Sequence, residues 1–258
     1  MDTTSRQVDP LLAPSVSLGG RSVLVLDPAA PRFVTVPAPA IGSARVRLDR
    51  HLSVADGTDL IVRETLEATG SAGIWFRLNL TAANDTERRA RLQRLLATVA
   101  PAIELTELTV EGLEDVASPV RLSLTARLPR GLAAAGDRLV GALPAAWEQL
   151  WFGPSPAVAR QTPFEVRQPL LVESSVSFRP PPGFVWTDAP KLAAKADSDF
   201  ISASLAMGEV GEANEFTTRT ERFTGLFPAT RAAEERQAMI DVSLLLAPAL
   251  VLERIAPK

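Results

Sequence analysis

The sequence predicts a mainly β protein, a jelly-roll-like β-sandwich with about three inserted or peripheral helices. Three observations predict it. Short runs alternate apolar and polar residues with the two-residue period of half-buried strands. Glycines and prolines, 15 and 21 of them, close most of these runs. No regular strand–helix–strand rhythm is present, which disfavours a doubly wound parallel sheet.

Residues 1–20 are polar and broken by Gly and Pro, an arm or linker, and 21–258 read as one large domain. SVLVLD (22–27) and FVTVP (33–37) are short strands ended by prolines. ARVRLDRHLSV (44–54) and TDLIVRETLEAT (58–69) alternate on either side of Asp56-Gly57, so they pair as an antiparallel hairpin. Asn84 then offers a helix N-cap, and Leu92, Leu95, Leu96 and Val99 share one helical face, predicting a helix near 85–99. IELTELTVEGL (103–113) and PVRLSLTARLPRG (119–131) are strands, the second with Val120, Leu122, Leu124, Ala126 and Leu128 on one face. A helix near 144–151 opens on Pro144 and stops at Gly153. Strands follow at 170–178, 184–188, 199–207 and 215–227, and a last helix near 229–245 follows Pro228.

Composition excludes several function classes. The net charge of −3 gives no attraction to a phosphate backbone, so nucleic acid is not an expected partner. With no cysteine there is no disulfide, thiolate metal site or cysteine nucleophile. His51 is the one histidine, so a histidine-rich metal site is excluded, and it reads as an ordinary strand residue. No G-x-S-x-G elbow, Walker A loop or G-x-G-x-x-G is present. No cofactor or metal is expected. The most apolar segment, MIDVSLLLAPALVL (239–252), carries Asp241 and Pro248 and falls short of the ~20 apolar residues of a spanning helix. The first residues lack the pattern of a signal peptide.

A few groupings have chemical potential. Asp56 and Asp59, or Asp197 and Asp199, offer carboxylates to calcium, yet a turn and a solvated loop account for them as well. Arg88, Arg89, Arg91 and Arg94 read as a solvated helix face, with a phosphate ligand as the rival. Trp147 and Trp151 lie four apart on one helical face beside Phe152. These three, with Arg160, are the candidate binding residues: an anchor for another domain, or a helix that caps the sandwich and buries its rings.

Four stretches resemble a known family when read in order: GRSVLVLDPAAPRF, HLSVADGTDLIVRETLEATGSAGIWFR, ARQTPFEVRQPLLVESSVSFRPPPGFVW and EFTTRTERFTGLFPATRAAEERQAMID. Together they are similar to the C-terminal β-sandwich region of bacterial transglutaminase-like proteins, over roughly residues 20–258. In that family the region follows a papain-like transglutaminase core, which holds the catalytic Cys, His and Asp. The resemblance implies a non-catalytic accessory domain that packs against such a core in the same polypeptide. It implies an extracytoplasmic location, in the periplasm or cell envelope. Two other readings are open: a module that binds cell-wall glycan or peptide, with Trp75, Trp186 and the outward residues of strand 119–128 in play, and a glycoside-acting enzyme with paired carboxylates.

Overall fold

The computed structural model describes residues 19–81, 84–153, 160–166, 168–187, 194–210 and 213–255. Strand makes up 47% and helix 23%, so the fold is mainly β.

In chain order, a small hairpin of β1 (Ser22–Val25) and β2 (Arg32–Thr35) leads into β3 (Arg45–Ala55) and β4 (Asp59–Thr69). Helices α1 (Gly70–Leu80) and α2 (Asp85–Ala97) follow, then β5 (Glu104–Glu111) and β6 (Val120–Leu128). A second hairpin, β7 (Leu132–Ala135) and β8 (Arg138–Ala142), precedes helix α3 (Ala146–Phe152). Next come β9 (Phe164–Val166), β10 (Leu170–Arg179), β11 (Phe184–Trp186), β12 (Ala194–Asp197), β13 (Ile201–Val210), β14 (Ala213–Arg222) and β15 (Gly225–Phe227). A short 3-10 turn, Ala229–Arg231, opens α4 (Ala232–Leu246), and β16 (Ala249–Arg254) ends the described chain.

Eight strands form one sheet in the order β12-β13-β14-β10-β3-β4-β6-β5. Its pairs are antiparallel except β10–β3, which runs parallel and joins two four-stranded antiparallel halves. A four-stranded sheet, β11-β16-β8-β7, lies on its inner side, where Trp186 meets Phe178 and Phe216 edge-on. Helices α1, α3 and α4 fill the rest of that side. The core is therefore the inner face of the large sheet, with Val46, Leu60, Leu122, Val172, Phe178 and Ile201 under Phe76, Trp147, Leu250 and Leu252.

The 45–69 hairpin forms as its alternation predicts, turning at Asp56 and Gly57 with φ of 48° and 79°. Asn84 caps α2, its side chain accepting from the Glu87 N–H at 2.9 Å. Side chains of α2 also close part of the sheet edge. Gln93 bonds both the Ile103 carbonyl and the Leu105 N–H, and Arg89 donates to the Leu105 carbonyl at 2.6 Å. That blunts an edge strand which would otherwise offer free ladder groups.

Three departures from the expected elements have physical causes. Helix α1 is additional: GSAGIWFRLNL has two glycines and no side-chain cap, so propensity does not announce it. It folds because Phe76 and Leu80, both fully buried, pack on the sheet. Helix α3 starts at Ala146, after Pro144 instead of on it, and the Pro144 carbonyl accepts a bond from Arg50 Nη1 at 2.7 Å. The expected strand 215–227 breaks after Arg222, and its tail, β15, pairs with β9.

Candidate functional site

The strict alternation of β3 decides where its charges go. Val46, Leu48, Arg50 and Leu52 point inward; Arg45, Arg47, Asp49 and His51 point to the open side. Arg50 is thus carried into the core with 3% exposure. It is held by Glu64, from the neighbouring strand β4, and by Glu148, from α3. Arg50 Nε donates to Glu64 Oε2 at 2.6 Å, and Nη2 donates to Glu148 Oε2 at 3.2 Å. The Trp147 indole N–H donates to the other Glu64 oxygen. Trp147 stacks on Trp151 at 5.4 Å between ring centres and meets Phe76 edge-on.

Two carboxylates share one guanidinium here, out of reach of water. Burial works against the charge on Arg50, but Glu148 and Glu64 outweigh it and hold its pKa above the ordinary arginine value. Burial, followed by the opposing pull of Arg50, leaves the Glu64 carboxyl above its ordinary range. All three side chains are 4% exposed or less, and the cluster ties α3 to the sheet.

The open face of the large sheet has the opposite character. Its outward positions are arginines, carboxylates, serines and threonines. Glu173 on β10 accepts from Arg45 Nε at 2.7 Å and from Arg219 Nη1 at 2.7 Å, and Arg47 Nε lies 3.9 Å away. Arg219 also donates to Glu221 at 2.9 Å. Arg121 pairs with Glu67 at 3.0 Å, and Arg127 Nε donates to Asp59 at 2.7 Å. Apart from Arg219–Glu221, which lies within β14, these ion pairs run across strands, the sheet counterpart of side-chain pairing along a helix. Shallow hollows lie between them. One of about 290 Å³ is lined by Asp49, His51, Arg63, Thr65, Glu107 and Thr125, among others. A second of about 390 Å³ lies beside Arg47, Glu173 and Arg219.

His51 sits in the middle of this face, opposite Ser177 in the parallel β3–β10 register. Its Nδ1 is hydrogen-bonded to Ser177 Oγ at 2.6 Å, and its Nε2 lies 3.8 Å from Asp49 Oδ1. Serine, imidazole and carboxylate in one row have the elements of a nucleophile relay. The surroundings do not complete one. His51 and Asp49 are 65% and 59% exposed, unlike the buried carboxylate that orients the imidazole of a working relay. The Ser177–His51 contact depends on pairing between strands more than 120 residues apart, so local pattern cannot reveal it.

The other sequence-predicted residues are dispersed. Trp147 and Phe152 are core residues at 2% and 1% exposure, and Trp151 is partly buried beside them. Arg160 is exposed, with its guanidinium 5.0 Å above the Phe164 ring. Arg167 lies outside the described residues. Asp59 is committed to Arg127 and to the Arg130 N–H at 2.8 Å. Asp197 pairs with Lys195 and Asp199 with Arg231, each by a direct contact. Among the described residues no three His, Asp or Glu side chains converge as metal ligands. No described helix is long and apolar enough to cross a membrane. On α2, Arg88 reaches Asp85 and Arg89 the sheet edge, so that arginine run serves its own fold at two of its four positions. No family model matches the chain, and no curated protein is detectably similar to it.

Proposed function

We propose that the chain is a non-catalytic accessory module of an exported bacterial protein, and that the open face of its large sheet docks another folded domain. The observation that carries this reading is the lattice of cross-strand ion pairs centred on Glu173, with Arg45 and Arg219 both donating to it. Charges already paired within one surface lose less on desolvation than isolated ones, so such a face can be covered by protein. Nucleic acid would call for an excess of cations, which this mixed surface does not offer. The sequence resemblance supplies the partner to try first: a transglutaminase-like catalytic core of the same polypeptide. The jelly-roll description of the two packed sheets belongs to this proposal as well.

The rival readings draw on less. A glycan module would favour rings on the open face, whereas Trp75, Trp147, Trp151 and Trp186 pack with the inner layer. A glycoside-acting enzyme would draw on Asp49 and Glu107, which line one hollow. Both acids are exposed, without the burial that raises a general acid, and Glu107 already accepts from the Thr125 hydroxyl at 2.8 Å.

The test is to add a transglutaminase-like core domain in trans and map protection by hydroxyl-radical footprinting. Protection of the outward residues of β3, β4, β6 and β10, lost on Glu173→Arg, supports docking. Protection elsewhere, or binding indifferent to that reversal, overturns it.

A further inference from the structure

We infer that Arg63, at the centre of the open face, is an anchor for a carboxylate side chain of the docked polypeptide. This rests on the docking reading above and adds the chemistry of the contact. Arg45, Arg47, Arg121, Arg127 and Arg219 on that face all have a carboxylate within 4.0 Å or less. Among the described residues Arg63 has neither an ion pair nor a hydrogen bond, although it lies mid-strand, where a cross-strand partner is available to its neighbours. It stands between His51 and Thr125 in the register of the sheet. Arg63 helps line the hollow of about 290 Å³.

The lining of that hollow selects the ligand class. Arg63 and the hydroxyl of Thr65 are donors for a carboxylate, the arginine fork able to bind it through two parallel bonds, while the Thr125 hydroxyl already donates to Glu107 at 2.8 Å. Asp49 and Glu107, in the same lining, are acceptors suited to the N–H groups of an incoming backbone. A phosphate dianion would feel the repulsion of both acids more strongly than a single carboxylate would. A polypeptide segment bearing Asp or Glu satisfies both halves of the set. The imidazole of His51 is held in place by Ser177 at one wall.

Fluorescence anisotropy with a labelled, C-terminally amidated Gly-Gly-Glu-Gly-Gly peptide tests this on the whole chain, with Gly-Gly-Gln-Gly-Gly and inorganic phosphate as competitors. The glutamate peptide should bind, and Arg63→Gln should weaken it about tenfold, the loss expected for one charge-assisted contact. Arg94→Gln, altering an exposed arginine on α2 and off that face, should leave binding within about twofold. Arg63→Lys should fall between, since it keeps charge but loses the fork. Both glutamine variants alter exposed side chains, and matching thermal midpoints will show that they fold. Equal binding of the glutamine peptide, displacement by phosphate at equal concentration, or equal losses in the two glutamine variants would overturn the inference. Domain docking that tolerates Arg63→Gln sinks the anchor and leaves docking intact. Glutamate-peptide binding to a face that protects no residue when the core domain is added sinks the docking reading instead.

Discussion

Arg50 and Glu64 face each other across the β3–β4 ladder with Arg50 Nε 2.6 Å from Glu64 Oε2, and both side chains lie beneath the sheet, away from water. Removing the guanidinium leaves two buried carboxylates without their cation. Arg50→Leu should therefore destabilise the fold by about 3–5 kcal/mol, as for other broken buried pairs. Glu148→Gln leaves the Arg50–Glu64 pair whole and should cost much less. Urea unfolding followed by tryptophan fluorescence measures both. A leucine variant as stable as the wild type would show that the two buried carboxylates do not depend on this guanidinium.

The same cluster makes a prediction for rising pH. Burial raises the folded-state pKa of Glu64 above the ordinary 4.5, so the native state holds that proton more tightly than the unfolded chain. Its contribution to stability is then complete below 4.5 and falls as pH rises through the raised value. Glu148→Gln removes the second carboxylate, which is one of the causes of the rise, and should flatten that fall. Urea midpoints taken at increasing pH above 4.5 will show a shallower slope in the variant if this is right. Parallel slopes would place the effect elsewhere.

Asp59 gives the opposite slope. The Arg130 N–H and then Arg127 hold its carboxyl below the ordinary 3.8. The unfolded state binds that proton more readily, so the stability from Asp59 is present above 3.8 and is lost as pH falls through its lowered value. Asp59→Asn should lower the midpoint at neutral pH and reduce its decline in acid. An unchanged acid limb would assign acid sensitivity to other carboxylates.

What could be read from the sequence follows the reach of local physics. The pairing of residues 45–55 with 59–69 was legible because an alternating run, an Asp-Gly turn and a second run lie side by side. The α2 cap at Asn84 was legible for the same reason. Helix α1 was not, since its stability comes from where Phe76 and Leu80 land, and its glycines point the other way. The hairpin β7–β8 was hidden by LAAA, whose alanines carry no alternation. For the open face, alternation marked Arg45, Arg47 and Asp49 as outward, as well as Arg121, Ser123, Thr125 and Arg127. It did not bring them together. The convergence of Arg45, Arg219 and Glu173 depends on β10 lying between β3 and β14, a non-local choice. Arg50 was the instructive residue: its place in the alternation already put it on the apolar side, and a charge on that side implies a buried counter-charge.

The loop between β5 and β6 supplies the last prediction, because Arg77 and Gly112 both help to hold it in place. Arg77, at 3% exposure, donates through Nη2 to the carbonyls of Gly112, Asp115 and Ser118 at 3.0, 2.8 and 2.5 Å. Gly112 has φ of +75°, and an added Cβ would stand 2.1 Å from the Pro119 carbonyl oxygen. Gly112→Ala then faces a left-handed backbone, about 1–2 kcal/mol, and a backbone clash besides. Arg77→Met strips donors from three carbonyls, a loss of about 1–3 kcal/mol for each that stays buried and unpaired. Both variants should open the 112–118 segment to limited proteolysis. The control is Gly136→Ala, at φ +66° with no atom within 4 Å of its new Cβ, which carries the backbone strain alone and should lose less. If Gly112→Ala and Gly136→Ala lose equal stability, the close approach to Pro119 is not what requires glycine there.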